Sequence, residues 1–113
     1  MSIINLTPHQ LSIHTPQGVV AAPPSGEIAR VSSSRRKVGE FEGIELWNTS
    51  YGEVTGLPEP AEGTLYVVSG MVRGAVPSRL DVASPGELLR GPDGQPIGCG
   101  GLNVNKETPN VDQ

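Results

Sequence analysis

Apolar and polar positions change over in short runs along most of the chain, and one run is the centre of the pattern. Thr64–Val68 (Thr-Leu-Tyr-Val-Val) is β-branched and aromatic, which predicts a strand buried on both faces. It stops at Ser69-Gly70. Met71, Val72, Ala75 and Val76 then recur at i, i+1, i+4 and i+5, the spacing of one or two helical turns laid on a sheet. Ser69 can cap such a helix by accepting a backbone N–H. Pro77 ends it, because the residue before proline avoids helical geometry.

The flanking pattern predicts more strands. Ser2–Asn5 and Gln10–Thr15 read as strands on either side of Leu6-Thr7-Pro8-His9, and Gly18–Ala22 returns from a turn at Thr15–Gly18 as a hairpin. Ala22–Gly26 is a connection, and Glu27–Ser32 alternates again. Ser32–Lys37 (Ser-Ser-Ser-Arg-Arg-Lys) is polar and basic, the composition of a solvated loop. Ile44–Trp47 reads as a strand ending in a turn at Asn48–Gly52, and Thr55–Gly63 is a loop rich in glycine and proline. Ser84-Pro85-Gly86 predicts a further turn. Glu87–Arg90 and Gln95–Cys99 flank Gly91-Pro92-Asp93-Gly94, whose Asp-Gly step signals a hairpin. From Asn103 the chain turns polar, so the reading is one domain over residues 1–103 and a flexible tail at 104–113.

Composition supports this picture. Fifteen glycines and eleven prolines in 113 residues are about twice the usual share and imply many turns. The expected fold is mainly β with a minor α part: an antiparallel or mixed sheet, or a small barrel-like domain, with one or two short helices. A small β domain has sheet edges to cover, which points to a homodimer.

The net charge of −4 argues against binding to duplex nucleic acid. A single cysteine, Cys99, excludes an internal disulfide. The first ten residues lack the pattern of a signal peptide, and no run approaches the roughly 20 apolar residues of a membrane span. The expectation is therefore a cytoplasmic protein without a membrane contact. His9, His14 and Cys99 do not form a zinc spacing, so no metal is expected. No phosphate-binding loop, dinucleotide fingerprint, esterase elbow or catalytic carboxylate pair is present, so no cofactor is expected and enzyme function is disfavoured.

Chemistry-bearing residues remain. His9, beside the hydroxyl of Thr7, can hydrogen-bond, stack or carry a proton. Arg30, Arg35, Arg36, Arg73, Arg79 and Arg90 offer planar forks suited to phosphate or carboxylate. Asp81 stands two residues from Arg79 and can hold its guanidinium, leaving other donors free. The start of the helix after Ser69 presents backbone N–H groups to an anion.

Several blocks occur in a set order: Asn5-Leu6-Thr7-Pro8-His9; Pro23-Pro24-Ser25-Gly26 with Ala29-Arg30-Val31; Gly56-Leu57-Pro58; Gly63-Thr64-x-Tyr66-x-Val68-Ser69; Arg79-x-Asp81; and Gly94-x-x-Ile97-Gly98-Cys99. Together they resemble a family of small, mostly unassigned proteins encoded by tailed phages and prophages, over residues 3–102. A compact phage protein without a catalytic motif is similar in class to those that sequester host immune nucleotide signals. The resemblance therefore implies a non-enzymatic binder of a cyclic or ADP-ribose-derived signal, acting in the infected cell against its defence. Its small anionic ligand would be held by Thr7, His9, Ser25, Arg30, Tyr66, Ser69, Arg79 and Asp81. Two alternatives stand beside it. One is a protein-binding inhibitor or minor phage structural factor. The other is a nucleotide-cleaving enzyme using His9 and Asp81.

Overall fold

A computed structural model describes residues 2–106. Eight strands and one helix follow in chain order: β1 (Ser2–Asn5), β2 (Leu11–Thr15), β3 (Gly18–Ala22), β4 (Arg30–Phe41), β5 (Ile44–Thr55), β6 (Thr64–Val67), α1 (Gly70–Ala75), β7 (Val82–Arg90) and β8 (Pro96–Val104). Six strands form a mixed sheet in the order β1-β6-β7-β8-β2-β3. β1, β6 and β7 run parallel, β7–β8 and β2–β3 are antiparallel hairpins, and β8 runs parallel to β2. The two ends of this sheet meet where Asn5 bridges Pro24 and the Ser25 N–H donates to the Asn5 carbonyl at 3.0 Å. The sheet is thus a nearly closed, barrel-like body, and the protein is mainly β, with one short helix among the described residues.

The central strand is buried on both faces, because Tyr66 and Val68 join one cluster while Val67, pointing the other way, is also fully buried. Leu6, Ala29, Tyr66, Val68, Val72 and Val82 form the main cluster; Ile13, Ala22 and Cys99 form a second. α1 forms where the apolar spacing predicts it. Ser69 accepts the Val72 N–H at 3.2 Å, and Val72 is the side chain the helix buries. The helix is tied down further by Arg73, whose Nε donates to Ser84 Oγ at 2.9 Å.

β4 and β5 leave this body as a separate two-stranded arm. Val31 and Val54 pack against the main cluster and root it. A bulge between Val31 and Ser33 follows, and from there outward nearly every residue is exposed. Glu42 (φ 49°) and Gly43 (φ 82°) close the tip as a two-residue turn with both residues left-handed, the geometry that matches strand twist. The radius of gyration is 16.6 Å, against about 13 Å for a compact domain of this length. The projecting arm accounts for the excess.

The arm corrects two expectations. Ser32–Lys37 is not a loop but part of β4, and Asn48–Gly52 is not a turn but part of β5. Both are held by cross-strand pairing, including Ser34 Oγ to Ser50 Oγ at 2.9 Å and the Arg35 guanidinium 4.8 Å over the Trp47 ring. Ser84–Gly86 likewise lies inside β7, paired with β8, rather than in a turn. At the C-terminal end, β8 runs to Val104. Asn105 is tied in by donating to the Val76 and Arg79 carbonyls at 2.9 and 3.2 Å. Residues 107–113, where most of the predicted tail falls, lie outside the described residues.

Candidate functional site

The Asn5–His9 stretch is a closed polar knot where β1 leaves the sheet. Asn5 is buried and uses its whole amide. Its Nδ2 donates to the His9 and Ala22 carbonyls, both at 2.8 Å, and its Oδ1 accepts from the Thr7 N–H at 2.9 Å and the Thr7 hydroxyl at 2.7 Å. Thr7 is therefore buried and committed, while the His9 side chain is exposed. Ser25, also exposed, is spent locally, its hydroxyl accepting the Glu27 N–H at 3.3 Å.

Beside this knot lies a groove of about 250 Å³ between the end of β1, the root of the arm and α1. Thr7, Arg30 and Ser69 all line it, so three of the eight residues singled out in the sequence come together there. The groove is otherwise apolar, with Pro8, Ile28 and Met71 prominent. Ser69 Oγ is engaged as the helix cap. Arg30 is exposed, and its side chain makes no hydrogen bond or ion pair among the described residues. Arg30 is thus the one charged group in the groove with donors to spare.

Three more of the eight form a brace elsewhere. Arg79 grips Asp81 in a bidentate pair, Nε to Oδ1 at 2.7 Å and Nη2 to Oδ2 at 2.8 Å. The same Nη2 donates to the Pro58 carbonyl at 2.9 Å. Tyr66 is buried, and its hydroxyl donates to the adjacent Glu59 carbonyl at 3.2 Å. The Arg79 hydrogen bonds hold the Asp81 carboxyl below its ordinary pKa, and the same bonds raise that of Arg79. This cluster pins the loop between β5 and β6 onto the segment after α1. Tyr66 has no ring face available for stacking. No hydrogen bond or ion pair joins His9 to Asp81 among the described residues.

The sequence reading found a strand at Ile44–Trp47, which lies in β5, but missed the arm to which it belongs. Phe41 pairs with Ile44 and Gly39 with Leu46, so Phe41, Ile44 and Leu46 share one face. Phe41 and Ile44 are each 62% exposed. The other face carries Lys37, Glu40, Glu45 and Trp47, with Lys37 paired to both glutamates. The signal that could have found the arm is Glu42-Gly43 standing between two apolar residues. A second apolar surface lies on the body, a groove of about 370 Å³ across β2, β7 and β8. Leu88 and Ile97 stand in it largely exposed, over the buried Cys99.

No cluster of three or more metal-ligating side chains occurs among the described residues, and no helix there is long and apolar enough to cross a membrane. Comparison of the chain with protein-family models, characterised proteins and solved structures finds no match.

Proposed function

We propose that this chain is a non-enzymatic interaction protein, an inhibitor or minor structural factor of the phage type its sequence resembles, which engages a protein partner through the β4–β5 arm. One observation carries this reading: among the described residues, the arm holds Phe41, Ile44 and Leu46 out in solvent, with no third strand or helix covering them. A two-stranded hairpin is marginal in water by itself, and grouped apolar side chains at a projecting tip mark a contact surface. A photo-crosslinking side chain in place of Phe41 tests the reading, with the same group at the exposed Gln17 in the β2–β3 turn as control. The expected result is a discrete protein adduct from position 41 and none from position 17. Absence of any adduct from position 41 contradicts the reading.

A second reading, sequestration of a small nucleotide-type anion, is favoured by a different observation. Arg30 stands uncommitted beside an apolar groove that Thr7 and Ser69 also line. An aromatic base would take the apolar wall and a phosphate the guanidinium. Calorimetric titration with ADP-ribose and with a cyclic dinucleotide tests it. Binding that falls about tenfold or more in Arg30→Ala supports it, and no heat with either ligand contradicts it.

A further inference from the structure

We infer that the partner taken by the arm is a second copy of this chain, with the tip of each arm seated in the β2–β7–β8 groove of the other. This inference rests on the arm being a docking element and names what it docks on.

Four observations converge. First, the chain carries both halves of the contact. Phe41, Ile44 and Leu46 form an exposed apolar tip, and Leu88 and Ile97 stand exposed in an apolar groove on the body. Burying each against the other removes two exposed surfaces at once. Second, the charges complement. The arm holds four basic and four acidic residues, whereas the described rest of the chain, residues 2–29 and 56–106, holds four basic and six acidic. On the face that carries Phe41, Ile44 and Leu46, Arg36 makes no ion pair among the described residues, while Lys37 on the opposite face is neutralised by Glu40 and Glu45. Arg36 thus approaches a body with an acidic excess.

Third, the size is right. Beyond the bulge each strand of the arm offers nine residues clear of its own body, 33–41 and 44–52. At ~3.3 Å per residue and ~4.8 Å between strands, one face covers on the order of 280 Å². Reciprocal exchange of two arms laid along the partner bodies, counted on both surfaces, buries about 1,100 Å², above the ~1,000 Å² that a specific interface needs. Fourth, the arrangement closes. Tip-to-groove contact made once leaves a free tip and a free groove, which would grow into a filament. Made reciprocally about a two-fold axis, it leaves neither.

Sedimentation equilibrium of the purified full chain at micromolar concentration tests this. The expected mass is about 24 kDa, twice the chain mass of 11.8 kDa. Phe41→Ser with Ile44→Ser, at the tip, and Leu88→Ser with Ile97→Ser, in the groove, are each expected to give the monomer mass with unchanged circular dichroism. If either pair prevents folding, Ile44→Arg or Leu88→Glu alone replaces it. Mixing the tip variant with the groove variant should give association that neither shows alone, weaker than the wild type because one of the two contacts is intact. A monomeric wild type or a dimer that survives either variant overturns the inference. A monomeric wild type whose position-41 crosslinker captures a different protein overturns the self-association and leaves the docking arm standing. A monomeric wild type with no adduct removes both.

Discussion

Asn5 holds Thr7 twice, its Oδ1 accepting both the Thr7 backbone N–H and the Thr7 hydroxyl. The same side chain donates to the Ala22 carbonyl at the end of β3, so one amide closes the turn after β1 and draws the two ends of the sheet together. The Thr7 hydroxyl, attractive as a ligand contact in the sequence, is spent on this knot.

Asn5→Ala is therefore expected to destabilise the protein by about 2–4 kcal/mol, because it leaves a buried N–H and a buried carbonyl without partners. Asn5→Asp should also destabilise it, since it keeps the acceptor but loses both donated bonds. Urea unfolding of the three proteins measures the order: wild type most stable, both variants below it.

Arg79→Ala is expected to reduce stability by about 1.5–3 kcal/mol, the range for hydrogen bonds to a charged group. It frees the Pro58 carbonyl and leaves Asp81, whose side chain is only 15% exposed, without its counter-charge. Arg79→Lys should recover only part, because an ammonium cannot bond Asp81 in a fork and reach Pro58 together.

The same pair sets an acid dependence. The folded pKa of Asp81 lies below its ordinary value of 3.8 through the Arg79 hydrogen bonds. The unfolded chain therefore takes up the proton first as pH falls. The pair's contribution is complete above the unfolded pKa and is lost as pH drops through the folded one. Thermal unfolding from pH 7 downward should show the wild type losing stability below about pH 4 more steeply than Asp81→Asn.

Two glycines should respond with opposite signs. A Cβ at Gly86, inside β7, would meet the Gly100 and Gly101 carbonyl oxygens of β8 at 2.6 and 2.7 Å. Both are backbone atoms held in the sheet, so Gly86→Ala should cost about 1–3 kcal/mol. Gly74, within α1, has no atom within 4 Å of where its Cβ would be. Gly74→Ala should gain about 0.5–1 kcal/mol by helix propensity. Paired thermal melts check both signs.

What could be read in the sequence follows from burial. Thr64–Val68, the Ser69 cap and the hairpin around Asp93-Gly94 were legible because apolar runs and turn chemistry report packed strands and tight turns. The arm was not, because strands exposed on both faces lose the apolar alternation by which strands are recognised, and Ser32–Lys37 then looks like a loop. The Arg79–Asp81 pair was legible from its two-residue spacing. Its third partner, the Pro58 carbonyl, was not, since only the fold brings that loop back. Likewise Thr7, Arg30 and Ser69 meet at one groove only because β1, the arm root and α1 converge there.

If the arm is a docking element rather than part of the core, the body should not need its tip. Phe41→Ser and Ile44→Ser, at positions 62% exposed, should each change the stability of the monomeric protein by no more than about 0.5 kcal/mol. Denaturant unfolding at concentrations low enough to keep the chain monomeric measures this.

Amide hydrogen exchange, comparing the wild type at high micromolar concentration with the Phe41→Ser/Ile44→Ser variant, tests the docking of the arm most directly. Exchange reports how often each backbone hydrogen bond opens. The account predicts slow exchange across residues 33–52 and across the groove-lining parts of β2, β7 and β8 in the wild type, and faster exchange in both regions together in the variant. The rest of the sheet should not change. Equal protection of the arm and the groove in the two proteins would contradict it.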